Sequence, residues 1–134
     1  MIAVRPPTDT EDAREVYRVK QGVSQVATAV AAGDLLFLWH DNGTVTCLDV
    51  ATGKTHWRER VAGDCHSSPI RVGEHIFGVS LEGEVVVLAA APEFRLLARN
   101  SLGEPSRATP AVAHDRMYLR TESSLVCVGE AAKK

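Results

Sequence analysis

The feature that most constrains this chain is an internal repeat with a period of 40 to 41 residues. Thr28-Ala29-Val30, Ser68-Pro69-Ile70 and Thr109-Pro110-Ala111 fall into register at spacings of 40 and 41, and each opens with a hydroxyl residue. Turn pairs follow at Gly33-Asp34, Gly73-Glu74 and His114-Asp115. These lead into the apolar runs Leu35-Leu36-Phe37-Leu38, Ile76-Phe77-Gly78-Val79 and Met117-Tyr118-Leu119. A second set of turns lies at Asn42-Gly43, Glu82-Gly83 and Ser123-Ser124, and a third apolar stretch occupies 44–48, 84–88 and 125–128. A period of this length constrains architecture before any single residue does. Each repeat is one supersecondary unit that buries its faces only by stacking on the next.

Short apolar runs separated by two-residue turns are antiparallel hairpins, and Asn42-Gly43 is the most specific turn signal in the chain. Residues 8–19 come closest to a helix, with acids early in the stretch, but Val16, Tyr17 and Val19 follow a strand pattern and leave 8–13 as a hairpin loop. A four-stranded meander of this period is one blade of a β-propeller. The expected fold is therefore all-β, a partial propeller of about three blades occupying 1–134 as one domain. Blades are expected over 24–63 and 64–105, preceded by the outer strands of an earlier blade at 2–21 and followed by the inner strands of a last one at 106–129.

The chain has 134 residues, room for one ordinary domain. Hydrophobic residues make up 45% and charged residues 24%, the balance of a folded soluble protein. A formal net charge of -2 leaves no cationic surplus to neutralise phosphates, which argues against nucleic acid and against direct contact with an anionic membrane. The start, Met-Ile-Ala-Val-Arg-Pro-Pro, lacks a basic region followed by a long apolar core, so no export signal is read in it. Cys47, Cys65 and Cys127 are too widely spaced for a CxxC metal pair. Cys47 and Cys127 are read as small buried strand residues. Cys65-His66 lacks a second cluster that would complete a four-ligand metal site.

After the third strand of the first full repeat the chain reads Cys47-Leu48-Asp49-Val50-Ala51-Thr52-Gly53-Lys54-Thr55-His56-Trp57. A short Asp accepts from backbone N–H groups two or three residues ahead, Thr supports the same turn, and Gly permits positive φ. Trp57, four residues beyond Gly53, then lies on the outer strand with a ring able to pack on a neighbouring blade. This segment resembles the AxDxxTGxxxW docking motif of propellers of the pyrroloquinoline quinone (PQQ) repeat family, with Asp49, Thr52, Gly53 and Trp57 in place and Cys47 where the family usually has Ala. The second repeat departs from it. Leu88-Ala89-Ala90-Ala91-Pro92-Glu93-Phe94 has neither Asp nor Thr-Gly, although Leu96-Leu97 offers an outer strand. The ending, Tyr118-Leu119-Arg120-Thr121 to Leu125-Val126-Cys127-Val128-Gly129, is similar to the close of bacterial PQQ-like repeat proteins, among them relatives of the propeller lipoprotein that helps assemble outer-membrane barrels. That likeness implies a true C-terminus, a shortened N-terminus and full-length relatives often exported to the cell envelope, while leaving this chain's compartment open.

The resemblance implies a protein-interaction scaffold. Quinone-dependent dehydrogenases of the same fold class hold PQQ over Ca²⁺ with a catalytic Asp and often a vicinal cysteine pair. Here no two cysteines are adjacent and no carboxylate cluster suits calcium. Neither catalysis nor a cofactor or metal site is expected, and the alternative is a fragment of a quinoprotein or ligand-binding propeller completed by other blades. His40-Asp41 reads as hairpin-turn chemistry rather than a base and its orienting carboxylate. Arg58-Glu59-Arg60 and Asp64-Cys65-His66-Ser67-Ser68 read as a solvated strand face and a connector rather than a ligand surface. The expected partners are a protein and, by strand exchange, a second copy of the chain. In that exchange the C-terminal inner strands of one copy join the N-terminal outer strands of another, and two chains close a six-bladed ring.

Overall fold

Each repeat places an apolar run between two polar turns, which suits a strand covered on both faces. The computed structural model describes residues 1–129 as strands, turns and loops. The second sheet is a meander of β3 (Val30–Ala32), β4 (Leu35–Trp39), β5 (Thr44–Asp49) and β6 (Thr55–Arg60), hydrogen-bonded in that order. The third repeats it with β7 (Ile70–Val72), β8 (His75–Val79), β9 (Glu84–Ala89) and β10 (Leu96–Ser101). Before them lies the two-stranded first sheet, β1 (Ile2–Arg5) with β2 (Arg14–Arg18), and after them the three-stranded fourth sheet, β11 (Ala111–Ala113), β12 (Arg116–Arg120) and β13 (Leu125–Gly129). Every pairing is antiparallel, and the whole is a partial β-propeller.

The middle strands lose the alternation of a one-sided strand because a neighbouring sheet covers each face. Val45, Thr46, Cys47 and Leu48 of β5 are all buried, as are Val85 to Ala89 of β9. The main core lies between the second and third sheets, where Phe37, Trp39 and Val45 meet Ile76, Val86 and Leu88. Trp39 is the knob of this packing and Gly78 the hole. A Cβ at Gly78 would stand 2.3 Å from the Trp39 ring, so the glycine interrupts β8 to admit an indole. A smaller core of Val79, Val85 and Leu119 joins the third sheet to the fourth.

The turn between β11 and β12 holds His114 at φ 51° and Asp115 at φ 58°, the paired positive angles of a type I′ hairpin. One side-chain expectation is corrected. Cys127 is exposed rather than buried, because the face that its counterpart Cys47 turns to the next sheet has no further sheet over it among the described residues. Leu96 and Leu97 begin the outer strand β10, as their apolar pair suggested, and stay 40% and 47% exposed. The strand count also bears on exchange between copies. By the repeat register both β1 and β13 are third strands, so the first and fourth sheets together hold five strands, one more than a blade takes.

Candidate inter-blade docking site

The corner between β5 and β6 is built on Asp49. Its Oδ1 accepts hydrogen bonds from the Thr52 backbone N–H at 2.7 Å and the Thr52 hydroxyl at 2.7 Å. The Gly53 N–H donates to the Asp49 carbonyl at 2.8 Å, and the Asp49 N–H donates to the Lys54 carbonyl at 2.8 Å. Gly53 stands at φ 73°, where an L side chain is disfavoured. These bonds favour the ionised carboxylate, and the Thr52 hydroxyl and N–H hold the Asp49 pKa below its ordinary value.

Trp57 leaves this corner and enters the next blade. Its indole Nε1–H donates to the Ala91 carbonyl at 3.2 Å, and its ring meets Phe94 edge-on with centroids 5.2 Å apart. Phe37 of its own sheet backs it at 5.9 Å. The Cys47 Sγ also faces the Ala91 carbonyl, at 3.9 Å, and burial pushes that thiol up to about 11. The two side chains therefore converge on one carbonyl of the third sheet.

The same contact recurs one blade earlier with a different ring. Tyr17 precedes Trp57 by one 40-residue period, and its ring covers Gly53 so closely that a Cβ there would lie 2.4 Å from it. Burial and the neighbouring Asp49 charge raise the Tyr17 pKa. Gly53 is thus required twice, by its φ and by the ring above it. The sequence signal was the 40-residue offset of the two aromatics, which the reading by motif alone passes over.

The inner strands carry a second set of contacts. The Thr28 N–H donates to the Ser68 Oγ at 3.0 Å, and the Ser68 N–H donates to the Thr109 Oγ1 at 3.0 Å. These are the hydroxyl residues that open each repeat, now seen as a relay from sheet to sheet. Beside it the Cys65 N–H donates to the Asp41 carbonyl at 2.7 Å and the Ser106 N–H to the Leu81 carbonyl at 3.1 Å, again one period apart. The connector 64–68 is therefore occupied with structure. Ser67 Oγ donates to the Val79 carbonyl at 2.7 Å, and burial raises the Cys65 thiol, with the Trp39 indole beside it acting in the opposite sense.

The remaining candidates are kept apart. His40 Nδ1 lies 3.1 Å from Asn42 Oδ1, whereas Asp41 Oδ1 turns away to the Ser24 hydroxyl at 3.3 Å and the Gln25 N–H at 3.3 Å. Arg58, Glu59 and Arg60 are exposed on β6. Among the described residues no three of His, Cys, Asp and Glu come together as a metal-binding group. A carboxylate that sequence reasoning left out is Glu104, which accepts from the Thr121 hydroxyl at 2.7 Å and the Ser123 hydroxyl at 2.8 Å. Those hydroxyls hold its pKa low, and it fastens the connector 102–106 to the turn before β13.

Solved structures show the same fold. BamB from Moraxella catarrhalis is similar at a TM-score of 0.74 and 19% identity, over 90% of this chain and 38% of that one. The Myceliophteria thermophila Cps50 (Swd1) beta-propeller domain is similar at 0.70 and 12% identity, over 96% and 49%. A europium-containing methanol dehydrogenase is similar at 0.54 and 15% identity, over 67% and 19%. The chain thus spans well under half the length of the BamB structure it matches. No curated protein matches it. The family model described as "Outer membrane protein assembly factor BamB", of the PQQ_2 type, matches residues 3–92, two thirds of the chain, and the chain belongs to that family of PQQ-like repeat propellers.

Proposed function

We propose that the chain is a non-catalytic scaffold that binds protein, in the manner of the assembly factor whose family it shares. The family match over residues 3–92 carries this reading. The geometry supports it, because Asp49, Thr52, Gly53 and Trp57 are engaged in closing a corner and docking one blade on the next. In that role they stabilise a rigid stack of sheets and leave the connecting loops as the variable surface.

The test has two arms. A tagged chain should retain one defined protein from a cell-envelope extract in stoichiometric amount, with the captured protein retaining the chain in return. Added PQQ and Ca²⁺ should leave the melting temperature unmoved, since a native-state binder would raise it with concentration. A saturable rise with dye-linked alcohol oxidation would replace the scaffold with a quinoprotein fragment.

A further inference from the structure

Every described outer strand carries the same surface element. In β2, β6 and β10 the ladder skips one residue, so Val16, His56 and Leu97 have no cross-strand partner, and these three occupy one position of the 40- to 41-residue repeat. A bulge re-aims the side chain that it leaves unpaired. Val16 and Leu97 are each 47% exposed. Two residues before the bulge stand Arg14, Lys54 and Arg95, and two residues after it Arg18, Arg58 and Arg99, all six exposed. Among the described residues Arg18 pairs with Glu15 at 2.7 Å and Arg99 with Glu84 at 2.7 Å, while Arg14, Lys54, Arg58 and Arg95 enter no ion pair. The ladder sets Arg14 directly across from Arg5, a like-charged juxtaposition that an anion between them relieves. Charge is segregated on the scale of the whole chain. Segments 14–20, 54–60 and 95–101 hold eight of the 15 Lys and Arg but two of the 17 Asp and Glu, a net charge of +6, which leaves -8 for the remainder.

Neither the corner nor the strand edge accounts for these cations. The third sheet has lost the Asp, Thr-Gly and Trp of the corner and keeps Arg95 and Arg99. Charge of either sign guards an edge against self-pairing, and a guard does not set an apolar side chain between its charges. Blades beyond the chain do not cover them either, since β6 and β10 end complete four-stranded sheets and a further blade stacks on sheet faces rather than over these outer edges. We propose that the rim formed by the outer strands binds an extended acidic segment of a partner protein, its carboxylates on the paired cations and an apolar side chain against the bulged residue. This rests on the scaffold reading and names the chemistry of what is bound. Several observations select protein over other polyanions. Leu96 at 40% and Phe94 at 38% exposure widen the apolar ground beside Leu97, which phosphates and lipid headgroups leave unmatched. Trp57 is buried and Tyr17 covers Gly53, so no Tyr, Trp or Phe on these three strands stands open for bases to stack on. The rim also turns from blade to blade around the propeller axis, a course that a flexible chain follows and a flat bilayer does not.

The probe is a short labelled synthetic peptide of Asp, Glu and Leu, titrated with the full chain by fluorescence anisotropy. It should bind saturably and more weakly as salt rises, because exposed ion pairs are screened. Lys54→Gln with Arg95→Gln, at two exposed side chains, should hold the melting temperature and weaken binding about fivefold, as expected for two exposed ion pairs. The salt dependence should become shallower at the same time. Arg107→Gln with Arg116→Gln removes the same charge away from the rim and should change neither. Leu97→Ser should weaken binding about threefold with the salt dependence intact, since it removes only apolar contact. A double rim variant that binds as tightly as the parent, or a Leu97→Ser variant with unchanged affinity, would overturn the proposal. So would tighter binding of a single-stranded oligonucleotide or of phosphatidylglycerol vesicles, which would give the rim to nucleic acid or to a membrane. Capture from a cell-envelope extract separates this proposal from the scaffold reading. A protein retained equally by parent and double rim variant removes the rim and keeps the scaffold, whereas peptide binding with no protein captured keeps the rim and removes the scaffold.

Discussion

The corners that close the second and third sheets reach one geometry by different means. In the second, Asp49 accepts from Thr52, Gly53 takes positive φ, and Trp57 crosses to the next blade. In the third, none of these residue types is present, yet the Ala89 N–H donates to the Arg95 carbonyl at 3.0 Å just as the Asp49 N–H does to Lys54. The turn is one residue longer there, since Ala89 to Arg95 spans six positions and Asp49 to Lys54 spans five. Extra length removes the need for a glycine and a capping carboxylate. The irregularity in the ladder stays at the equivalent place, and Val87 pairs with Ala98 where Cys47 pairs with Trp57, so a small residue stands where the second sheet has its indole. A backbone corner is thus made in several ways, whereas a large side chain delivered to the next blade depends on the residue at that one outer-strand position. The motif specifies that delivery more than it specifies the turn.

The sharpest test of this difference is truncation of the two outer-strand residues. Trp57→Ala should cost about 3–5 kcal/mol in denaturant unfolding, as for other buried Trp truncations, because it loses the Phe94 and Phe37 contacts and the Ala91 bond. Leu97→Ala, at a side chain 47% exposed, should stay within about 0.5 kcal/mol. Equal costs would show that Trp57 does not dock the blades.

A smaller separation is expected between two glycines of similar φ. Gly53→Ala meets both the positive angle and the Tyr17 ring, and should cost about 1–3 kcal/mol more than an unstrained surface change. Gly73→Ala has nothing within 4 Å of its added carbon and should cost about 1 kcal/mol from φ alone. If Tyr17→Ala fails to relieve the Gly53→Ala penalty in a double-mutant cycle, the ring is not what makes this glycine necessary.

The smallest effect should come from the carboxylate. The Asp49 pKa is depressed, so its contribution is present above the ordinary value of 3.8 and disappears as pH falls through the lower folded value. Asp49→Ala should remove part of the acid sensitivity of unfolding while barely moving stability at neutral pH compared with Gly53→Ala. The third sheet's corner has no carboxylate hydrogen-bonded into its turn among the described residues.

Much of this was legible in the residues. Period, turn positions and the Asp49 to Trp57 segment are local patterns of alternation and turn chemistry, and these survive reading one chain at a time. What escaped depends on the neighbouring sheet. Trp39 and Gly78 lie 39 positions apart in sequence and give no local sign of fitting together, although an isolated glycine inside the Ile76 to Val79 run marks a close approach. Cys127 has the same apolar setting in sequence as Cys47 and the opposite exposure, since burial is set by whether another sheet lies over that face. The hydroxyl residues at 28, 68 and 109 were visible as a pattern, but their joining of one repeat to the next is a three-dimensional fact.

That relay has a consequence for how such chains change over generations. Its joint is a main-chain N–H, which every residue but proline supplies, and a hydroxyl, which Ser and Thr supply alike. Nothing in it reads the identity of the blade on either side. A duplicated segment inserted between any two blades would arrive with both halves of the joint already in place, so long as it kept its opening hydroxyl. Number and order of units can then drift freely while the seam stays constant, and a lineage can gain or lose whole modules without redesigning a single boundary.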